Sequence, residues 1–208
     1  MSTIIDISQE IHSGMFVYPG DPQFTSREVL SFARGNVFEV SELTIGSHCG
    51  THIDAPLHMI PGGAPLERLP LEAFYGPCRV LTLPAAVINE KMLAEQNIME
   101  GERILLRTDP SGENRSAERF NPSVLSVRAA QYLVERRIRL LGIDAPTVEN
   151  MELCDGEIHR MLMNAGIAIV EGLCLEKATH THYTLSAFPL RLKGENGSPC
   201  RAVLIEDD

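Results

Sequence analysis

Three histidines and one carboxylate lie within eleven consecutive residues, in the stretch HCGTHIDAPLH at positions 48–58. The residues that could do chemistry there are His48, His52, Asp54 and His58. Imidazole and carboxylate groups are ligands that zinc, manganese and iron accept in proteins, and a carboxylate can also bridge two ions. The stretch therefore predicts either a metal site or a polar loop whose histidines cap backbone groups.

These side chains can share one site only if the backbone turns within the stretch. All of them occupy even-numbered positions, so a continuous strand would place them on one face. Such a strand would separate His48 from His58 by roughly 33 Å at about 3.3 Å per residue, which is too far for one ion. A continuous helix is excluded because Gly50 and Pro56 interrupt it. We therefore predict that the chain turns at Gly50 and Pro56.

Two distant residues could complete a ligand set. His159 lies in a predicted helix, and Glu171 ends the apolar run IAIVE. A chain reversal at Gly166 could bring the run back beside the helix. An unpaired carboxylate after so apolar a segment would be costly to bury. A metal ion would compensate the Glu171 charge, and so would a hydrogen-bonded or solvated strand end.

Strands that could hold these residues are predicted from short aliphatic or β-branched runs bounded by turn residues. The predicted strands span residues 3–7, 42–46, 78–83, 103–107, 140–143, 167–170, 182–192 and 201–205. The segment KGENGSP at 193–199 is predicted to join two strands as a hairpin. Strands near both ends of the chain favour a mixed sheet.

Helical patterns fall between the strands. They span residues 87–96, 126–137 and 156–164, with Ser126 and Asp155 as predicted N-caps. Gly166 lies just beyond the end of the third helix, as is typical of a helix terminus. The elements together predict an α/β fold with a mixed sheet and a few helices, in a single domain spanning residues 1–208.

Composition excludes several classes of function. The net charge is −10 over 208 residues, which disfavours nucleic-acid binding. No apolar run is long enough to span a membrane, and residues 1–10 do not resemble a signal peptide. Five cysteines without a CxxC pair argue against a disulfide framework and predict reduced thiols in the cytoplasm. Cys49 could be a catalytic nucleophile or simply a small, partly buried thiol.

The stretch at 48–58 matches the HxGTHxDxPxH signature of a known family, and further matches extend over nearly the whole chain. They are IIDIS at 4–8, GMFVYPGDP at 14–22, YGPCRVL at 75–81, LLGIDAPTVE at 140–149, IVEGL at 169–173 and FPLRLKGENGSPCRAVL at 188–204. The sequence thus resembles the Putative cyclase family of metal-dependent hydrolases, which includes bacterial kynurenine formamidase and isatin hydrolase. The resemblance implies a swivelling β/β/α fold and a homodimer or larger homo-oligomer.

The resemblance also implies a divalent metal site, with two zinc ions per subunit or with manganese. The residues that match the family's metal ligands, with the aspartate bridging, are His48, His52, Asp54, His159 and Glu171. His58 matches a histidine that is not a ligand in the family and serves as a general acid/base. A metal lowers the pKa of bound water from about 15.7 towards 7, so hydroxide is available to attack an amide carbonyl.

The substrate implied by the resemblance is a small aryl formamide or cyclic amide. N-formyl-L-kynurenine, hydrolysed to L-kynurenine and formate in tryptophan catabolism, is the leading candidate. Kynurenine formamidases commonly have Trp where this chain has Tyr18, and the usual GIDTPS is altered at Ala145 and Thr147. Tyr18 is a candidate substrate-binding residue or an ordinary half-buried aromatic. Alternatives are a hydrolase of another cyclic or aryl amide or lactone, and a non-catalytic metal-binding or ligand-sensing protein.

Overall fold

The computed structural model describes residues 3–112, 123–150 and 155–206. The strands are β1 (Thr3–Asp6), β2 (Thr25–Leu30), β3 (Val40–Thr44), β4 (His52–Asp54), β5 (Tyr75–Thr82), β6 (Val87–Ile88), β7 (Arg103–Arg107), β8 (Val124–Leu125), β9 (Leu140–Ile143), β10 (Ala168–Glu171), β11 (His182–Ser186), β12 (Gly197–Pro199) and β13 (Val203–Glu206). The helices are α1 (Glu90–Ala94), α2 (Val127–Glu135) and α3 (Glu157–Asn164).

Nine strands form one mixed sheet in the order β1-β13-β11-β5-β7-β9-β10-β4-β12. The central strands β5, β7, β9 and β10 pair in parallel, and the flanking strands pair antiparallel. Strand β9 is buried at every residue, as parallel strands covered on both faces usually are. The prediction of an α/β fold with a mixed sheet and few helices is confirmed.

The sheet curls so that its two ends approach each other. Strand β12 lies at one edge and β13 lies beside the other, but only residues 200–202 separate them. In a flat sheet, seven strand spacings of about 4.8 Å would set these strands roughly 34 Å apart. The link between them is held at both ends, because Cys200 N donates to Thr51 O at 2.9 Å and Ile7 N donates to Ala202 O at 3.0 Å.

Apolar residues pack on both faces of this curled sheet. Helices α1, α2 and α3 cover one face, where Leu133 and Leu162 pack with Leu141 and Ile169 of the sheet. The other face buries residues such as Ile53 and Phe74 inside the curl. Both faces of the central strands are therefore dry, and a polar side chain at a strand end needs a specific partner.

Several predicted elements need correction. The strand predicted at 182–192 ends at Ser186, and the helix predicted at 87–96 begins with β6 before α1. Residues 193–199 do not form a simple hairpin, because they include β12, which crosses to pair with β4. Gly156, not Asp155, is the N-cap of α3, although the Asp155 carboxylate accepts from Glu157 N at 3.2 Å.

Other local predictions are confirmed. The Ser126 side chain accepts from Ala129 N at 3.2 Å and caps α2. Gly166 follows α3 with φ of 75°, a left-handed conformation that glycine adopts without steric cost. Strands β2, β4, β8 and β12 were not predicted, because each is short or lacks an apolar run.

Strands β2 and β3 form a separate antiparallel pair that we call the hairpin arm, residues 25–44. Large apolar side chains on the arm are exposed, including Phe32, Val37, Phe38 and Leu43. A two-stranded hairpin is marginally stable by itself in water, so this surface is unusual for an isolated subunit. No helix among residues 3–112, 123–150 and 155–206 is both long and apolar enough to cross a membrane.

Candidate metal centre

Strand β4 presents two of the predicted site residues side by side. His52 and Asp54 alternate with Ile53, so both polar side chains point to one face while Ile53 enters the core on the other. The chain turns immediately before and after this strand: Gly50 has φ of 65°, and Pro56 begins a 3₁₀ turn that ends at His58. Both predicted turns are therefore confirmed.

These turns bring the two ends of the motif together. The imidazole rings of His48 and His58 lie 3.8 Å apart between centroids, although ten positions separate them in sequence. The Nδ1 atom of His48 lies 2.8 Å from Asp54 Oδ1. A strand of three residues between two bends thus converts a linear motif into a compact cluster.

Strand β10 supplies the second carboxylate. Glu171 is the last residue of the strand and is paired in register with His52 on β4. The Nε2 atom of His52 lies 3.4 Å from Glu171 Oε2 and 3.4 Å from Asp54 Oδ1. The other Glu171 oxygen, Oε1, accepts from Val148 N at 2.7 Å, which fixes the carboxylate in place.

Helix α3 brings in the remaining predicted ligand. The Nε2 atom of His159 lies 3.4 Å from Asp54 Oδ2 and 3.2 Å from Glu171 Oε1. The reversal at Gly166 allows β10 to run back beside the helix, as the sequence suggested. The structure thus gathers six predicted residues around one point: His48, His52, Asp54, His58, His159 and Glu171.

In three of these imidazoles, the outer nitrogen, which points away from the centre of the cluster, faces an oxygen. His48 Nε2 lies 3.0 Å from Asn196 Oδ1, and His52 Nδ1 lies 2.9 Å from Gly50 O. His159 Nδ1 lies 3.4 Å from Glu149 Oε2. When an acceptor holds the proton on the outer nitrogen, the inner nitrogen keeps a lone pair for a metal ion.

Two observations indicate that the cluster fits a divalent cation. Within the described residues, Asp54 Oδ2 and both ring nitrogens of His159 are buried without a hydrogen-bond partner, although carboxylate oxygens surround the imidazole. The ligand atoms also form two close groups, His48–Asp54–His58 and His52–Asp54–Glu171, each within 4.8 Å. Because Asp54 belongs to both groups, its two oxygens could serve two neighbouring ions.

The electrostatics of the cluster favour positive charge. Burial alone would lower the pKa of His52, but the Asp54 and Glu171 carboxylates outweigh it and raise that pKa to about 10. The pKa of His159 is likewise raised, because Glu171 and Asp54 overcome its burial. Burial would raise the pKa of Asp54, yet the neighbouring imidazoles hold it well below its ordinary value. Protons or a metal ion can supply the positive charge that the carboxylates require.

His58 differs from His52 and His159. Burial lowers its pKa, so the ring is neutral and able to accept a proton at neutral pH. Cys49, in contrast, is buried 3.6 Å from the Met15 sulfur, and burial raises the pKa of its thiol. The thiolate needed for nucleophilic attack is therefore disfavoured at Cys49.

The cluster opens into a cavity of about 410 Å³. Apart from the cluster, its walls come from three loops, and they include Tyr18, Asp21, Met59, Pro146, Thr147 and Asn150. Tyr18, the predicted substrate-binding residue, therefore lies in the same cavity as the histidines. A cavity of this size suits a small organic molecule.

Two glycines let the backbone approach the cluster closely. A Cβ atom at Gly172 would lie 2.5 Å from Gly50 O, and one at Gly197 would lie 2.6 Å from His48 Cε1. Gly172 also has φ of 67°, and its carbonyl accepts from Thr51 Oγ1 at 2.6 Å. These contacts hold the loop before β4 against the chain that follows Glu171.

The fold and the site together define a metal-dependent hydrolase with a site for a divalent ion. A solved structure described as a potential metal-dependent hydrolase with cyclase activity matches with a TM-score of 0.87 and 33% identity, covering 100% of both chains. The chain belongs to the family described as Putative cyclase, which it matches over residues 5–150.

Relatives with assigned activities are similar over most of their length. Kynurenine formamidase from Bacillus cereus is 36% identical over 203 residues, which cover 96% of each chain. Isatin hydrolase A from Labrenzia aggregata shares the fold, with a TM-score of 0.86 at 24% identity, covering 100% of this chain and 94% of the other.

Glu149 and Asn196, which contact the outer nitrogens of the histidines, were not assigned roles from the sequence. Both lie in segments that resemble the family, GIDAPTVE and KGENGSP, but neither segment carries a spacing that points to a particular histidine. Their partners are distant: 148 positions separate Asn196 from His48, and ten separate Glu149 from His159. Only the folded arrangement reveals these contacts.

Proposed function

We propose that this protein is a kynurenine formamidase, which hydrolyses N-formyl-L-kynurenine to L-kynurenine and formate. The observation that carries the proposal is the convergence of five ligand-type side chains on one small cavity, in a chain 36% identical to the kynurenine formamidase of Bacillus cereus. The reaction breaks a non-peptide carbon–nitrogen bond, and its product is a small amine plus formate.

The proposed ligands are the two carboxylates and three of the histidines: His48, His52, Asp54, His159 and Glu171. We propose that these residues would hold two zinc ions, with Asp54 available to both, and manganese is compatible with the same nitrogen and oxygen donors. A bound divalent ion would supply a nucleophile from water at neutral pH and an electrophile for the carbonyl oxygen.

His58 is the proposed general acid/base. Its ring faces the same cavity and lies 3.8 Å from the His48 ring between centroids, and its lowered pKa favours the neutral form that accepts a proton. After taking a proton from water, the ring can return it to the leaving nitrogen. This role disfavours a non-catalytic metal-binding protein, which would not need a neutral histidine beside the ligands.

Tyr18 is the proposed aromatic contact for the substrate ring, with Met59 and Pro146 as apolar neighbours on the cavity wall. The chain has no tryptophan, so the ring that kynurenine formamidases commonly present there is replaced by a smaller one. This difference favours one alternative in the same class of enzyme. That alternative is a hydrolase of another aryl or cyclic amide, such as isatin, or of a lactone.

We further propose a single domain of residues 1–208 that assembles as a homodimer in the cytoplasm. The single domain is supported by the nine-stranded sheet, which takes strands from both ends of the chain. The dimer is supported by the exposed apolar side chains of the hairpin arm, which a second subunit could cover. Free thiols at all four described cysteines are consistent with a reducing compartment.

The proposal is tested by measuring metal content and formate release from N-formyl-L-kynurenine on the same zinc-reconstituted sample. Two equivalents of zinc with saturable formate release support it. Two equivalents of zinc with no formate, but with opening of isatin, would transfer the assignment to the alternative. A protein that retains no divalent metal after reconstitution would contradict both.

A further inference from the structure

We propose that Glu149 is a positioning residue for the metal centre, holding the proton of His159 on Nδ1 so that Nε2 faces the shared carboxylates. This inference rests on the proposed metal site and adds a residue to it. Glu149 is not one of the five proposed ligands, and its side chain is buried with 6% of its surface exposed. A buried carboxylate requires partners, and those of Glu149 identify its role.

The Glu149 carboxylate divides its two oxygens between two tasks. Oε1 accepts from the backbone N–H of Ile158 and, at 3.3 Å, from that of His159, the second and third residues of α3. Oε2 lies 3.4 Å from His159 Nδ1, a long contact to a buried nitrogen that has no hydrogen-bond partner among the described residues. One side chain therefore fixes both the first turn of the helix and the ring that the helix presents.

The helix terminus depends on this contact because its own cap offers no side chain. The N-cap is Gly156, which has φ of 68° and makes no side-chain hydrogen bond. The first N–H groups of a helix need acceptors from elsewhere, and Glu149 supplies one from a loop that follows β9. Movement of that loop would therefore move His159 relative to Asp54 and Glu171.

Glu149 also differs from the acceptors behind the other two imidazoles. His48 faces the neutral amide oxygen of Asn196, and His52 faces a backbone carbonyl. Only His159 has a charged acceptor behind it among these three. A carboxylate accepts a hydrogen bond more strongly than a neutral oxygen does and makes the opposite ring nitrogen a better donor to a metal.

Replacement by glutamine separates the two tasks. In Glu149→Gln the amide oxygen can still accept from the two backbone N–H groups, so the helix cap is retained. The amide NH₂ would then face His159 Nδ1 and donate to it, which favours the tautomer with its proton on Nε2. That tautomer directs an N–H, rather than a lone pair, at the centre of the cluster.

Asp155 offers a matched control at the same helix terminus. Its carboxylate accepts from Glu157 N at 3.2 Å, but it is exposed and has no contact with a ligand. Asp155→Asn therefore removes one negative charge beside the first turn of α3, as Glu149→Gln does, without touching His159. The pair of variants distinguishes loss of charge at the helix from loss of ligand orientation.

The experiment measures zinc affinity by competition with a chromophoric chelator, together with the absorption spectrum of the cobalt-substituted protein. Glu149→Gln is expected to weaken zinc binding about 10- to 100-fold and to change the cobalt spectrum. Glu149→Asp, which restores the charge, should recover part of the affinity, and Asp155→Asn should bind zinc within about threefold of wild type. Thermal unfolding in EDTA should be similar for Glu149→Gln and wild type.

Each result has a defined meaning. Wild-type zinc affinity and an unchanged cobalt spectrum in Glu149→Gln would overturn the positioning role and leave the proposed function intact. Unfolding of Glu149→Gln in EDTA would also overturn it, because the residue would then be needed only for the fold. A wild-type protein that binds no zinc would instead overturn the proposed function and this inference together.

Discussion

The cavity has two walls of different construction. The strand wall consists of His52, Asp54 and Glu171, which lie on adjacent strands of the sheet and have at most 4% of their surface exposed. The loop wall includes Tyr18, Asp21 and Asn150, which lie on connections between elements and are more accessible. The strand wall presents three of the five proposed ligands, and the loop wall presents the surface that a substrate would touch in the proposed reaction.

We expect the strand wall to determine the reaction and the loop wall to determine which substrate binds. Register and burial fix the strand wall, so a change there alters the ligand set itself. We expect that the loop wall can change without disturbing the sheet, and it includes Tyr18 and Thr147, two positions that differ from the pattern implied by the family resemblance. We therefore expect mutations in the strand wall to change metal binding and turnover, and mutations in the loop wall to change substrate affinity.

The largest effect is expected from Asp54→Asn. This change removes the charge shared by both groups of ligand atoms, so zinc should be lost and formate release should fall at least about a thousandfold. Zinc content by mass spectrometry and a formate assay would measure both. Asp21→Asn on the loop wall is the matched control and should retain zinc. Equal metal loss in the two variants would contradict the division between the walls.

His58→Ala should give the next largest effect. Removal of a general acid/base lowers kcat by roughly 10²- to 10⁴-fold, and the zinc content should remain unchanged because the proposed ligands are intact. Steady-state kinetics and metal analysis on one preparation test this. If one equivalent of zinc disappears with the ring, His58 is a ligand in the group that it forms with His48 and Asp54.

Zinc affinity should depend on pH. Because the pKa of His52 is raised to about 10, the ring holds a proton at neutral pH that a metal must displace. Affinity should therefore fall as the pH is lowered from 8 to 6, by about one decade per pH unit for each proton released. Competition titrations in buffered chelator at several pH values measure the slope. Affinity that does not vary over this range would contradict the predicted proton displacement.

Tyr18→Ala should affect binding more than turnover. Loss of an aromatic contact worth about 1.4 kcal/mol would raise KM for N-formyl-L-kynurenine about tenfold, with little change in kcat. Tyr18→Phe, which keeps the ring, should remain within about threefold of wild type. A fall in kcat without a change in KM would place Tyr18 in the reaction rather than in recognition.

The smallest effect is expected from Cys49→Ala. Burial raises the pKa of this thiol and it packs on Met15, so it is not suited to nucleophilic attack. Turnover and zinc content should both stay within about twofold of wild type. A hundredfold loss of kcat in a folded, zinc-loaded Cys49→Ala protein would revive the nucleophile hypothesis.

Local patterns in the sequence predicted most of the central sheet. Strand β7 has three consecutive aliphatic residues between two arginines, strand β9 has the sequence LLGI, and both strands have the bounds that were predicted. The bends at Gly50 and Pro56 were also predictable, because the length of an extended chain excludes a shared site without them. In these regions, local propensity and the final fold agree.

Long-range pairing could not be predicted from the sequence. Strand β12 has the sequence GSP, which favours a turn, but it forms a strand because β4 lies beside it. The contact of Glu149 with His159 depends on how a loop and a helix meet in space. Such contacts leave no periodic signal, so Glu149 and Asn196 were missed, although the candidate ligand residues had been named from the sequence.

Gly172 and Gly197 have a consequence for any attempt to redesign the cavity. Neither glycine is among the residues that line the cavity, so a library directed at specificity would have no evident reason to avoid them. An alanine at 172 would place its Cβ 2.5 Å from Gly50 O, so we expect the backbone to shift beside Glu171 or two residues before His52. The lack of a Cβ atom at Gly172 and Gly197 therefore limits which substitutions the centre accepts. Variation is best confined to Tyr18 and the loops around it.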